Sequence, residues 1–480
     1  MKTILVVGGG IFQFPLINIA QAKGWKAVCI DGDAQCIGSI AADHFENVDL
    51  KDIKGALAVG RKYKIDGALT AGTDFSTTVA YITDNMGLPG VSYGVAVKCT
   101  NKYEMRKIFQ ENNIPSPLFA KFGASQYEKF CKAIETIKLP CVIKPVDSMG
   151  ARGVRKINNF DNLEKAFYSS IKYSKNREVI VEEFMEGPEY SVDSIFIDGK
   201  LKFISIADRH IYFSPYFVEL GHTVPANISN EQKNNLIEVF TKAVKSLGIK
   251  TGQAKGDIKI TKDGVKIGEI AARMSGSFNS GWTVPFATGI NIHKAALMMA
   301  VGEDPGDLSY DWNDQKGAAE RTIISIPGKI KRIYGINDAK NTNGNEVVYF
   351  WSKEGDEVDF PINNMGKCGC VVNKLYNRPM ASIMANVARK KIFIRLEPNN
   401  KKTEDFLFDR DNLKFINVFR ENSVDYYGKN VEDALEKVSE ITGMVSHELL
   451  EVKNFWRCFL KGGIQGGVYL IDSMKKGLQK

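Results

Sequence analysis

Asp257 and Glu269 stand in "GDIKITKDGVKIGEIAAR", a stretch that reads as two alternating strands joined at "KDG". A three-residue loop with Gly264 in the left-handed position is a common hairpin form, and it puts Asp257 opposite Glu269. Ala271 then shares their face and Arg273 lies beyond. Like charges directly opposite one another destabilise a sheet, so a cation should separate the two carboxylates. Hard oxygen ligands in an incomplete protein cage suit magnesium, which completes its shell from water and phosphate oxygens. A loop one residue longer or shorter would throw the acids onto opposite faces.

A second chemistry is anion binding. In "LPCVIKPVDSMGARGV" an apolar strand ends in Lys144 and runs into a loop holding Gly150, Arg152 and Gly153. Lys144 shares a face with Val142, and an ammonium on a covered face needs an anionic partner. The loop's backbone N–H groups could bend around such an anion, phosphate being the natural one. An exposed strand lysine beside an ordinary turn would read the same way.

"VIVEEFMEGPEYSVDSI" carries Glu182 and Glu183, turns at Gly187 and Pro188, and begins a new strand at Glu189. A short linker of this kind offers backbone groups to a purine edge and a carboxylate to ribose hydroxyls, although surface hairpins share the pattern. "TAGTDFS" ends a strand with Thr73, Asp74 and Ser76 at the edge where open parallel sheets bind ligands, or it is simply a helix N-cap. In "YFVELGHTVP", Glu219 and His222 are placed either to meet an amine or help hold metal, or to serve as a solvated acid and a structural histidine.

The elements that must position these groups begin with an alternation of strand and helix over the first hundred residues, which predicts a parallel α/β sheet. Its "GGGIFQ" turn has Gly8 and Gly10 but Gln13 where a dinucleotide fingerprint has a third glycine; Asp31 ends the next strand. NAD or FAD binding and a plain structural turn are the two readings of it. From Lys121 to about Pro327 hairpin-like strands alternate with helices in an α+β pattern. A β-rich region with "EVVYFW" and "KKIFIRL" follows, then a helical tail.

Composition narrows the class. A chain of 480 residues with 44% hydrophobic and 25% charged residues is ordinary globular material with room for several cores. The net charge of +8 is spread along the chain, and basic residues are not clustered with aromatics, so nucleic acid is not expected. The cysteines lack the paired spacing of a zinc site and fit reduced thiols of a cytoplasmic protein. The apolar run of "MKTILVV" stops at "GGG", too short for a signal peptide, and no later stretch approaches a membrane span. A soluble protein is expected.

Taken together, and in this order along the chain, these segments resemble the ATP-grasp superfamily over about residues 1–330. The resemblance implies a Rossmann-like domain at 1–100, an ATP-grasp domain of two subdomains at 101–327, and a β-rich C-terminal region with a helical extension at 328–480. "TNKYEMRKIFQENNIPSP" is similar to the family's phosphate-lysine helix and implies Lys102 on the phosphates of ATP, with Lys144 as the second phosphate lysine. "DSMGARGV" resembles the mobile glycine loop, with Ser148, Met149, Gly150 and Gly153 over the phosphates. Similarity to the family's D-alanyl-D-alanine ligases implies Glu182 near the adenine amino group, Glu183 and Met185 as hinge contacts and Glu189 on ribose. Asp257 and Glu269 become Mg2+ ligands, with Mn2+ an acceptable substitute, and Arg273 a clamp on phosphate or acyl phosphate. Where family members commonly carry a metal-ligating asparagine, this chain has Ala271.

The implied activity is a carboxylate–amine ligase that makes an acyl phosphate with ATP and passes it to an amine; a looser likeness points to the amino-acid and dipeptide ligases. Arg273 and Lys144 would be catalytic, and Asp74, Glu219, His222, Ser275 and Gly276 would meet substrate. The expected partners are a small-molecule carboxylate and an amine, with no nucleic acid and no membrane, and a homodimer as the one self-assembly entertained. A bicarbonate-using carboxylase or carbamoyl-phosphate type, a non-catalytic ATP-binding module and an NAD-dependent oxidoreductase are the alternatives.

Overall fold

The structure, a computed structural model, describes residues 1–408 and 431–478, so 409–430 and 479–480 of the expected C-terminal region lie outside the described residues. Strands β1 (Thr3–Val7), β2 (Lys26–Asp31), β3 (His44–Asn47) and β4 (Gly67–Leu69) form a parallel sheet in the order β3-β2-β1-β4. Ile4, Leu5, Val6 and Val7 are all fully buried because helices cover both faces, which is why β1 reads as one apolar run.

The glycine turn after β1 is filled by protein. The Gln13 side chain packs over Gly8 and Gly10 and donates from Nε2 to the Ala71 carbonyl. Asp31 accepts the Gly9 N–H at 2.7 Å and the Asp33 N–H at 2.8 Å. Both of its oxygens thus serve the turn rather than a ribose, and the structural-turn reading of "GGGIFQ" is the one this geometry supports.

The parallel sheet does not end its core at residue 100. Helix Ile292–Ala300 packs against it, burying Ile292, Ala296 and Leu297 with Ile4, Val6 and Leu69. A Cβ on Gly67 would lie 2.3 Å from the Ala300 carbonyl oxygen, so only glycine allows that approach.

A second sheet, order β5-β8-β6-β7, contains β5 (Phe119–Gly123), β6 (Cys141–Pro145), β7 (Arg155–Ile157) and β8 (Glu178–Glu183). Helices Tyr127–Ile137 and Leu163–Ile171 bury Phe130, Ile134 and Phe167 against Cys141, Ile143, Val179 and Val181. Alternation along β6 sends Val142 and Lys144 to the opposite face.

The largest sheet is antiparallel, with eight strands in the order β13-β12-β9-β10-β11-β14-β18-β16. Its members are β9 (Glu189–Ile197), β10 (Lys200–Tyr212), β11 (Val218–Val224), β12 (Gly252–Thr261), β13 (Gly264–Ala271), β14 (Gly317–Ile323), β16 (Asn345–Phe350) and β18 (Gly369–Leu375). It takes strands from both sides of residue 327. A small sheet of β15 (Gly328–Tyr334), β17 (Glu357–Val358) and β19 (Phe393–Leu396) carries the last helix, Phe455–Leu478, anchored by Arg395 on Asp472 at 2.6 Å. Among the described residues no helix is long and apolar enough to cross a membrane.

Candidate active site

The β12–β13 hairpin reaches the expected pairing by another route. Thr261 pairs with Gly264, so the turn holds only Lys262 and Asp263, one residue fewer than expected. Alone, that turn would put the acids on opposite faces. A bulge corrects it: Ile258 pairs with Ile267 but Asp257 pairs with Glu269, leaving Gly268 as the extra residue. A Cβ on Gly268 would lie 2.9 Å from the Asp257 carbonyl oxygen, and Arg106 Nη2 donates to the Gly268 carbonyl at 2.5 Å.

The cation expected between the two carboxylates is supplied by side chains. Lys102 Nζ lies 3.5 Å from Glu269 and donates to the Ser148 carbonyl at 2.8 Å. Asp257 is paired with Lys255, and with Arg209 at 3.1 Å. Burial would raise the Glu269 carboxyl, but Lys102, Lys255, Lys144 and Arg273 outweigh it and hold its pKa at about 2.

A pKa held below the unfolded-chain value of about 4.3 contributes stability that is present above that pH and is lost as pH falls toward 2. The melting-temperature gap between the wild type and Glu269→Gln is therefore expected to be constant near neutrality and to shrink between about pH 4 and about pH 2. Thermal unfolding followed across that range checks this; a gap that stays constant contradicts it.

Lys144 finds its anion on the neighbouring strand. Glu182 Oε2 is 2.7 Å from Lys144 Nζ, and Glu182 Oε1 is 2.8 Å from Arg106 Nε. Arg106 is fully buried and Glu182 is 3% exposed, so two cations share one carboxylate out of water. Burial lowers the Lys144 pKa, opposed by Glu182; burial raises that of Glu182, but Arg106 and Lys144 bring it below the usual carboxylate value. The Glu182 carboxylate, expected at an adenine amino group, is thus held by Lys144 and Arg106.

Helix Lys102–Glu111 delivers both basic groups. Asn101 caps it by accepting the Tyr103 and Glu104 N–H groups at 3.0 and 3.2 Å, and Lys102 and Arg106 fall one turn apart on its buried face.

At the linker, Glu183 is paired with Lys266, and the Glu183 and Phe184 N–H groups bond the Leu118 and Pro140 carbonyls at 3.0 and 3.1 Å. Gly187, at φ +139°, passes so close to β12 that a Cβ would lie 2.2 Å from the Ile260 oxygen. Met185 lies over the Gly268 bulge. Glu189 is paired with Arg209 and lies 3.6 Å from Lys259.

The glycine loop leaves β6 with Gly150, Ala151 and Gly153 all at positive φ. Asp74 reaches the cleft because Ala71 bridges to Met274 and Gly72 abuts Gly276, where a Cβ would lie 2.8 Å from the Gly276 Cα. Asp74, Lys102, Ser148, Glu269, Ala271 and Arg273 line one cleft. Burial raises the pKa of Asp74, opposed chiefly by Arg273.

Glu219 and His222 are buried on β11. Glu219 meets Arg209 at 2.8 Å, Lys367 at 3.5 Å and His222 Nε2 at 3.7 Å. His222 Nδ1 lies 2.9 Å from Glu320, which also accepts from Ser277 Oγ at 2.6 Å. Burial would raise the Glu219 carboxyl, but His222, Lys367 and Arg209 hold it well below the ordinary value. Ser275 faces elsewhere: its N–H and hydroxyl bond the buried Asp193 at 2.8 and 2.5 Å, so the hydroxyl expected to meet substrate is committed to the scaffold, and Gly276 serves as the contact with Gly72. Sequence reasoning passed over Arg106, Arg209, Glu320 and Lys367. Only Arg106 left a signal, its position four residues after Lys102.

Residues 137–280, from the approach to β6 through the hairpin and beyond it, match the model of the ATP-grasp domain. The chain carries an ATP-grasp domain. Residues 321–397 match the L-amino acid ligase C-terminal domain 2, so this ATP-grasp protein carries a C-terminal domain of that type. A Sinorhizobium fredii protein named y4rH is 25% identical over 77% of the chain and 78% of its own length. Human carnosine synthase 1 is 22% identical over 63% of the chain, which spans 40% of that relative's length. The crystal structure of the L-amino acid ligase from Bacillus licheniformis shares the fold, with a TM-score of 0.71 at 21% identity over 83% of this chain and 99% of that one.

Proposed function

We propose that the chain is an ATP-dependent ligase that activates a small-molecule carboxylate, an amino acid, as an acyl phosphate and joins it to an amine. The observation that carries this is the buried cluster in which Lys144 and Arg106 share the single carboxylate of Glu182, beside Lys102 and Arg273. Among the described residues the two cations have one carboxylate within ion-pair distance between them, and a buried excess of positive charge of that kind is completed by an anion such as a phosphate chain.

Lys144 and Lys102 then hold the phosphates of ATP, the loop of Ser148, Met149, Gly150 and Gly153 closes over them, and the linker through Glu183 and Met185 meets the base, with Glu189 at the ribose. The paired acids Asp257 and Glu269 fit Mg2+ or Mn2+: two opposed carboxylates offer hard oxygens, Ala271 adds none, and phosphate oxygens and water complete such a shell. A metal held there supplies charge neutralisation on the transferring phosphoryl group.

The substrate carboxylate oxygen attacks the γ-phosphorus and ADP leaves. The amine nitrogen then attacks the acyl carbon, phosphate leaves, and the amine gives up a proton. Arg273 and Lys144 stabilise the charge that shifts in these steps. Asp74, Glu219 and His222 would meet the amine and the acyl group, and loop closure would keep water from the acyl phosphate. The L-amino-acid-ligase-type domain supports the amino-acid reading.

The test is phosphate release from magnesium-ATP across a matrix of amino acids and other carboxylates, with products weighed by mass spectrometry. Release that needs one acid and one amine, with a product lighter than their sum by one water, is expected. Release with bicarbonate alone would move the reading to a carboxylase, and nucleotide binding without release from any pair would make the chain a binding module.

A further inference from the structure

The tip of the glycine loop is held by the C-terminal region. The Asn364 N–H donates to the Gly150 carbonyl at 3.0 Å, and the Asn364 side-chain oxygen accepts the Glu219 N–H at 2.9 Å. One residue therefore bridges the loop expected over the phosphates and the acid on the substrate side. Three residues on, Lys367 Nζ lies 3.5 Å from the Glu219 carboxylate, with only 7% of its side chain exposed.

The segment that carries Asn364 is rooted at both ends. Phe360 packs edge-on against Phe213 at 4.8 Å and stacks on Phe406 at 5.7 Å. The Cys368 N–H bonds the Ile323 carbonyl at 2.8 Å. Between them the chain doubles back so tightly that a Cβ on Gly366 would lie 2.9 Å from the Pro361 Cα. The glycine loop is held differently at its base, where Asp147 accepts the Lys175 and Asn176 N–H groups at 3.1 Å each. At its tip, nothing lies within 4 Å of a Cβ built on Gly150. A segment rooted at both ends thus meets the tip of the loop through the backbone bond from Asn364 to Gly150.

We propose that residues 361–367 act as a latch, with Asn364 as a positioning residue that couples closure of the glycine loop to the placement of Glu219. The latch rests on the ligase reading for its consequence: when it is engaged, the acyl phosphate forms only in a closed site whose substrate side is already ordered. Asn364→Ala keeps the N–H on Gly150 but removes the acceptor for Glu219, so loop and substrate side are uncoupled. Asn364→Asp keeps that acceptor.

The expected result is a several-fold rise in ATP hydrolysed per amide formed in Asn364→Ala, with KM for ATP little changed, and recovery in Asn364→Asp. A merely structural role would lower melting temperature and overall rate without moving that ratio. An unchanged ratio in Asn364→Ala, or the same defect in Asn364→Asp, overturns the proposal. Independently of any ligase activity, trypsin should cut after Arg152 in the ligand-free protein several-fold faster in Asn364→Pro, which lacks the N–H on Gly150, than in wild type or Asn364→Ala, which keep it. Equal cleavage rates in folded proteins of matched melting temperature also overturn it, and this arm decides the latch even where no acid and amine pair is joined.

Discussion

Lys144→Ala is expected to lower ADP formation by about 10²–10³-fold while leaving the protein folded, the size of loss that follows removal of one preorganised group from a developing charge. The argument turns on what stays behind. Glu182 keeps Arg106 at 2.8 Å, so the variant retains one neutral ion pair where the wild type has two cations on one acid. Burial, and after it Arg106 and Lys102, disfavour the charged form of Lys144 against the pull of Glu182, so its removal also relieves repulsion. The Lys144 side chain is 13% exposed, so its truncation does not open a sealed core. Little change in melting temperature is therefore expected alongside the loss of rate. Phosphate release and thermal unfolding on the same preparation check both halves; ADP formation within a few-fold of wild type would remove Lys144 from the phosphate site.

Glu182→Gln reverses the balance and should show the larger effect on stability. It leaves Arg106 and Lys144 buried beside one another without the carboxylate they share, and breaking a buried ion pair in this way costs about 3–5 kcal/mol. An anion that binds between the two cations should offset the loss by mass action, so added magnesium-ATP or inorganic phosphate should raise the melting temperature of the variant more than that of the wild type. Neutralising Lys144 also relieves the repulsion, so the deficit should narrow as pH rises. A variant that melts with the wild type would show that the carboxylate does not bind the two cations together.

Lys144 shows how far local pattern carries. Alternation in "CVIK" places the lysine on the face opposite the helices, and the cost of an unpaired buried charge requires an anion. That much is local chemistry. Which protein anion it meets is a matter of strand neighbours: β8 lies beside β6, and this brings Glu182 to Lys144. The hairpin teaches a related lesson. Asp257 does pair with Glu269, but a two-residue turn and a bulge at Gly268 combine to produce that pairing, and a glycine in a strand does not announce which of its possible uses it serves.

The substrate side was least legible. Arg209 acquires its meaning from partners 20, 10 and 48 residues away, Glu189, Glu219 and Asp257, which lie on three different strands of one sheet. Lys367 and Glu320 sit beyond the segment in which the motifs fall, and they join the site because the large sheet continues through β14 and β18. Ser275 reads as an available hydroxyl until Asp193, on β9, takes it.

What the amino-acid order determined by itself is everything set within a few residues: the parallel α/β start, the capped helix of Lys102, the strand face of Lys144, the acids of the hairpin and the glycine loop after β6. Those features depend on side-chain period, capping and backbone sterics, which act over one or two turns of chain. Tertiary structure alone decided the pairing of charges, the Gly268 register, the delivery of Asp74 by Gly72 against Gly276, and the hold of Asn364 on Gly150. Such contacts join residues far apart in the chain, and a buried charge accepts whichever partner the completed sheets bring within reach.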